Sequence, residues 1–237
     1  MIREIKEEAE RRGITRLCHF TPSRNLVHIA SGKTGILATA HLAGDERSVF
    51  TPTDLERLDG HVGFISCSIE YPNAWYFDKA RQTDVLFRDW VVLLIDPRYL
   101  WLEGTRFCSR NAAAGYGRYV GEGPKAFCNM FAASVEGAGG KTRCRTRERL
   151  ACCPTDDQAE VLVPDGIALG DIVGVVVTSE TQAKAEASRM RLAGGPVDAM
   201  RMRIGPVLFN KYDLSNHLRC GQRPVEVVWP PGGSKDA

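Results

Sequence analysis

Residues 159–178 read AEVLVPDGIALGDIVGVVVT, and this stretch decides the fold class. Ala159–Val163 and Ile172–Thr178 are β-type runs that follow each other across a turn containing Pro164, Asp165 and Gly166. Further strands at Met202–Phe209 and Val225–Trp229 make the later half strand-rich. Upstream, strands at Thr15–Phe20, Gly63–Ile69 and Trp90–Ile95 interleave irregularly with helices. This order favours an α+β fold over a doubly wound parallel sheet.

The helices are read from apolar spacing and caps. Ile2, Ile5 and Ala9 form one stripe that stops at Gly13. Thr21 and Pro22 read as N-cap and first helical residue of a helix carrying Leu26, Ile29 and Ala30. A short helix after Thr53 holds Leu55 and Leu58, and longer ones cover Pro72–Arg81 and Lys125–Val135. Ser179 with Gln182 makes a capping box for the last. Gly115, Gly117, Gly121 and Gly123 mark a loop, and residues 230–237 a disordered tail after a single domain over residues 1–229.

At 237 residues, with 43% hydrophobic and 25% charged residues, the chain has globular composition and enough length for one large core. Its longest apolar runs are six residues, whereas a membrane span needs roughly 20. The first twelve residues carry eight charges and lack a secretory pattern, so a cytoplasmic protein with reduced thiols is expected. The eight cysteines include no CxxC, and no metal site is expected from their spacing. No GxGxxG follows a strand and no GxxxxGK[ST] occurs, which speaks against a Rossmann site or a P-loop.

The net charge is +2, yet the segment 141–149, KTRCRTRER, alone carries +4. Lys141, Arg143, Arg145, Arg147 and Arg149 occupy odd positions, so an extended chain would place all five on one face. Such a stripe, roughly 13 Å long, suits the phosphates of a nucleic-acid strand. A solvated charged loop is the alternative.

Six further positions bear on candidate chemistry. His19 and Thr21 share one face at the end of a strand and could bond one ligand. Glu160 lies among apolar β-formers, where a carboxylate needs a partner or a function unless it sits on an edge strand facing water. Arg57 reads equally as a helix-surface arginine, and Tyr76, between Trp75 and Phe77, as core. Cys18 beside His19 is poorly placed for a thiol nucleophile and its base, because neighbours on a strand point to opposite faces.

Several segments occur together in order: Cys18-His19-Phe20-Thr21-Pro22, Asn25-Leu26, Gly35-Ile36, Arg57, Asn73-Ala74-Trp75-Tyr76-Phe77 with Ala80-Arg81, and Gln158-Ala159-Glu160-Val161-Leu162. This ordered set resembles the DarT family of bacterial toxins. Members transfer ADP-ribose from NAD to a base in single-stranded DNA. The resemblance covers roughly residues 14–210 and implies an ADP-ribosyltransferase split β-sandwich with NAD between two sheets. It further implies that His19 and Thr21 contact the ribose and nicotinamide amide, and that Asn25 closes the adenosine side. Tyr76 would pack near nicotinamide, Arg57 (with His61 as competitor) would hold diphosphate or the reacting groups, and Glu160 would be the catalytic carboxylate.

Glycosidic cleavage builds positive charge on the sugar, which a fixed carboxylate stabilises, and the same group can take the acceptor's proton. The basic segment ends eleven residues before Glu160, where such a loop would recognise its acceptor, with Tyr116, Tyr119 and Phe127 available to stack bases. Thymine and guanine in single-stranded DNA, or an RNA acceptor, fit this reading, and a cognate antitoxin is expected. A non-catalytic nucleic-acid-binding domain is the reading from another class.

Overall fold

Strand β1 (Leu17–Pro22) is the hinge of the architecture. It pairs along its whole length, antiparallel, with β4 (Trp90–Ile95), but meets β3 (Phe64–Ile69) only at Leu17↔Ile69 and Cys18↔Ser68. Beyond Cys18 the two neighbours part. From β4 the sheet continues to β11 (Ile172–Val177), then in parallel to β12 (Met202–Ile204), and to the edge strand β13 (Val227–Trp229). From β3 it continues through β9 (Glu160–Pro164) and β5 (Arg106–Cys108) to β6 (Val120–Glu122). The split of the expected sandwich is this two-residue junction in a nine-stranded sheet. The computed structural model describes residues 2–32, 34–42, 60–83, 88–194 and 200–229. Arg57, the short helix after Thr53 and the 230–237 tail lie outside the described residues.

Six helices are described: α1 (Ile2–Arg12), α2 (Ser23–Ser31), α3 (Ala74–Thr83), α4 (Gly123–Asn129), α5 (Glu180–Leu192) and α6 (Lys211–Arg219). The expected capping box of α5 forms in part: Ser179 Oγ accepts from Gln182 N–H at 3.2 Å, while Gln182 Oε1 accepts from Thr178 N–H at 2.9 Å, one residue before the N-cap. All six residues of β4 are buried, as its unbroken apolar run requires.

Elsewhere the expected boundaries move for identifiable reasons. Thr21 is not the N-cap of α2: it belongs to β1, opposite Val91, because the residue before a proline is driven to extended backbone. Helix α4 stops at Asn129, short of Val135. Thr155 takes the carbonyls a longer helix would use, bonding Met130 O through N–H at 2.8 Å and Ala132 O through its hydroxyl at 2.6 Å. The chain then forms a hairpin of β7 (Ser134–Glu136) and β8 (Thr142–Cys144). Strand β12 ends at Ile204 because Pro206 cannot donate to a ladder, and the following 3₁₀ turn buries Leu208 and Phe209. Helix α6 was not expected, although Asn210 caps it from Tyr212 and Asp213 N–H, and Leu214 and Leu218 bury at i,i+4.

Gly35, at φ +74°, marks a close approach. A Cβ there would lie 2.1 Å from Ile167 O, where β2 (Ile36–Leu37) docks on β10 (Gly166–Ile167).

Candidate active site

Glu160 opens β9, which lies between β3 and β5, and is 6% exposed. The water-facing edge glutamate is therefore overturned. Its Oε1 accepts from Asn73 Nδ2 at 3.2 Å and from Asn111 Nδ2 at 3.0 Å, and its Oε2 from Ala112 N–H at 2.9 Å. These three donors are neutral, so none of them adds a countercharge to the oxygens it bonds. Neither amide is at liberty to turn. Asn73 Oδ1 caps α3 by accepting from Tyr76 N–H at 3.0 Å, and Asn111 Oδ1 accepts from Ala113 N–H at 3.1 Å. Burial, with a smaller contribution from the Glu160 charge, pushes the neighbouring Cys108 thiol up to about 12.

Asn73, Asn111 and Ala112 were not singled out from the sequence. Asn73 had a readable signal, an N-cap residue behind Pro72 and before an apolar-periodic helix. Asn111 had none, since its partner is 49 residues away.

His19 is the first residue of β1 past the junction with β3. Its Nδ1 lies 2.9 Å from Ser66 O, an atom that can only accept, so Nδ1 carries the hydrogen. Ser66, on β3, is paired with Leu162, which lies two residues from Glu160 on the neighbouring strand β9. Thr21, on the same side of β1, is buried, and its hydroxyl oxygen accepts from Asn25 Nδ2 at 2.9 Å. Asn25 Oδ1 is buried without a hydrogen-bond partner among the described residues. A buried acceptor of this kind suits a donor brought by a ligand, such as a hydroxyl or an amide. Tyr76 is half-buried at the start of α3, its ring 6.1 Å from Phe20, which stacks on Phe77 at 4.5 Å. His61 accepts from Arg106 Nη1 at 3.2 Å if the imidazole nitrogen is unprotonated, and packs on Phe64.

The basic segment does not form one face. Within it only residues 142–144 form a strand, and the chain bends at 147–149. Lys141 and Arg147 are exposed and Arg143 is half-buried. Arg145 donates to Cys153 O at 2.7 Å and Leu150 O at 2.8 Å, while buried Arg149 donates to Pro154 O and to Asp157 Oδ1, both at 2.6 Å. These two arginines staple the loop that leads into Glu160. Gly137 of the hairpin packs against that loop so closely that a Cβ would sit 2.7 Å from Asp156 Oδ2.

The loop from β5 to β6 begins with the Glu160 contacts at Asn111 and Ala112 and reaches its tip at Tyr116. Tyr116 is 80% exposed and held at φ +57° between Gly115 and Gly117. Tyr119 ties this loop to the hairpin by donating to Glu136 Oε1 at 3.3 Å, with the Arg110 guanidinium 4.2 Å from its ring centre. Among the described residues no group of three or more His, Cys, Asp or Glu could hold a metal ion, and no helix is long and apolar enough to cross a membrane.

The family described as "ssDNA thymidine ADP-ribosyltransferase, DarT" matches residues 18–206. The chain belongs to the DarT family. By this membership it is an NAD-dependent ADP-ribosyltransferase with single-stranded DNA as acceptor. Among solved structures, DarT of Thermus sp. 2.9 in complex with NAD+ is similar at 14% identity and a TM-score of 0.56, over 83% of this chain and 98% of that one. The same DarT in complex with ADP-ribosylated ssDNA gives 12%, 0.54, 84% and 97% in the same order. Thermosipho africanus DarTG in complex with ADP-ribose gives 13% and 0.52, over 82% of this chain and 51% of that one. No curated protein matches significantly. These likenesses carry the DarT fold onto the split sheet described above.

Proposed function

We propose that this DarT chain transfers the ADP-ribosyl group of NAD to a thymine nitrogen in single-stranded DNA, with Glu160 as the catalytic carboxylate. The observation that carries the reading is the buried Glu160 carboxylate, oriented by neutral donors on two sides. The N-glycosidic bond breaks with its electron pair leaving on nicotinamide, and the base nitrogen forms the new bond to the same ribose carbon. Glu160 stabilises the positive charge that builds on the sugar and accepts the proton the base gives up. The NAD-side residues proposed are His19, Thr21 and Asn25, whose unpartnered buried oxygen fits a polar ligand, with Tyr76 at the aromatic edge and Arg57 on the diphosphate. A planar arginine fork suits phosphate oxygens.

The acceptor surface proposed combines Tyr116 at the exposed loop tip with Lys141, Arg143 and Arg147 on the hairpin side. Both parts adjoin Glu160 through Asn111 and through the loop stapled by Arg149. A thymine reacting at its pairing edge has to be unpaired, so duplex is a poor substrate. A cognate antitoxin is part of the proposal, supported by the DarTG likeness, in which about half of that chain lies outside the match.

The test is mass spectrometry of single-base-composition DNA and RNA oligonucleotides incubated with protein and NAD. Labelling of thymine DNA is expected. Labelling confined to guanine or to RNA would move the acceptor assignment, and no labelling with intact NAD would favour a non-catalytic nucleic-acid-binding domain.

A further inference from the structure

We infer that Asn73 is a positioning residue for the reaction, aligning the Glu160 carboxylate from the N-cap of α3; this rests on the reading of Glu160 given above. Asn73 is 1% exposed and every polar group it owns is engaged. Its N–H donates to Ser68 Oγ at 3.0 Å, and its carbonyl accepts from Phe77 N–H at 2.9 Å. Its Oδ1 accepts from Tyr76 N–H at 3.0 Å, and its Nδ2 donates to Glu160 Oε1 at 3.2 Å. Ser68 is itself the ladder partner of Cys18, the residue before His19. One residue thus joins the strand junction beside His19, through its backbone N–H, to the helix carrying Tyr76 and the carboxylate on β9, through its side chain. The cap decides the direction: because Oδ1 is held by the helix, only the amide N–H₂ can face Glu160.

Two variants separate this role from plain capping, since Asp and Ser are both good N-caps. Asn73→Ser keeps an oxygen for the helix and removes the donor to Glu160. Its kcat is expected to fall by roughly 10-fold or more, the scale of a hydrogen bond to a charged group, with the KM for NAD within about twofold. Asn73→Asp keeps the cap and places a second carboxylate against the first. Two such groups cannot both ionise freely, so the acid limb of the kcat profile is expected to move to higher pH. Among the described residues the Glu160 charge acts on the thiols of Cys67 on β3 and Cys108 on β5, and Arg110 and Asp156 act on Cys108 in turn; all are unchanged in these variants. A wild-type kcat in Asn73→Ser, or an unmoved acid limb in Asn73→Asp, would overturn the inference. So would a joint loss of fold and NAD affinity in Asn73→Ser, which is what a purely structural residue gives. An active Glu160→Gln protein would remove the underlying reading, whereas an inactive one beside an unshifted Asn73→Asp would remove only the positioning role.

Discussion

Replacing Glu160 with glutamine keeps the shape of the side chain and changes two quantities at once. The loss of charge and of the proton acceptor should lower transfer by at least roughly 100-fold. The structure adds a cost in stability. With the glutamine oxygen at the Oε1 position, its N–H₂ faces the Ala112 N–H; turned over, it faces the amides of Asn73 and Asn111. Neither amide can flip to accept, because each already gives its oxygen to a backbone N–H. One buried donor opposite another leaves a polar group unsatisfied, which costs about 1–3 kcal/mol. In a protein of 237 residues that corresponds to a melting point lower by roughly 2–12 °C. The assay is oligonucleotide modification at saturating NAD alongside thermal unfolding of the same preparations. Retention of more than half the wild-type activity would refute the catalytic role. An unchanged melting point would refute the donor-only cradle, even with activity lost.

His19→Ala should weaken NAD binding by about 0.5–1.5 kcal/mol, or roughly 2- to 13-fold, and calorimetry showing unchanged affinity would remove His19 from the site. Arg149→Ala leaves half-buried Asp157 with only the longer 3.4 Å contact to Arg219 and should destabilise the fold by about 1–3 kcal/mol, whereas exposed Arg147→Ala should stay within about 0.5 kcal/mol. In DNA binding the order reverses, with Arg147→Ala lowering the salt slope by about 1, and an unchanged slope would return Arg147 to plain solvent. Burial raises the Asp156 carboxyl above its ordinary range, and its Oδ2 has no hydrogen-bond partner among the described residues. A folded-state value above the unfolded one means the native state binds more protons in between, so stability falls as pH rises through that window. Asp156→Asn, which keeps the oxygen that accepts from Gln158 N–H, should therefore gain over wild type more at pH 8 than at acidic pH, and equal gains in melting scans at both would contradict this.

What was legible in the sequence is what a single element decides for itself. Strand β4 was read to the residue because six consecutive apolar side chains are buried on both faces, and α5 because its cap lies within its own first turn. Glu160 stood out for the same local reason, a carboxylate inside an apolar strand. Where two distant segments meet, the sequence was silent or misleading. Helix α4 ends early because of Thr155, 25 residues beyond the last turn that Met130 closes, and no propensity in its own residues says so. The odd-numbered arginines read as one face because period two assumes an extended chain; the bend at 147–149 turns Arg149 inward to Asp157 and leaves Arg147 outside. The cradle of Glu160 is wholly tertiary. Asn73 and Asn111 are neutral residues from segments 87 and 49 positions away, and their chemistry exists only because the strands beside β9 bring their amides to one carboxylate. The amino-acid sequence by itself determined which residue carries the charge; only the tertiary structure decided what holds it, because hydrogen bonds act over about 3 Å and sequence spacing does not report that distance.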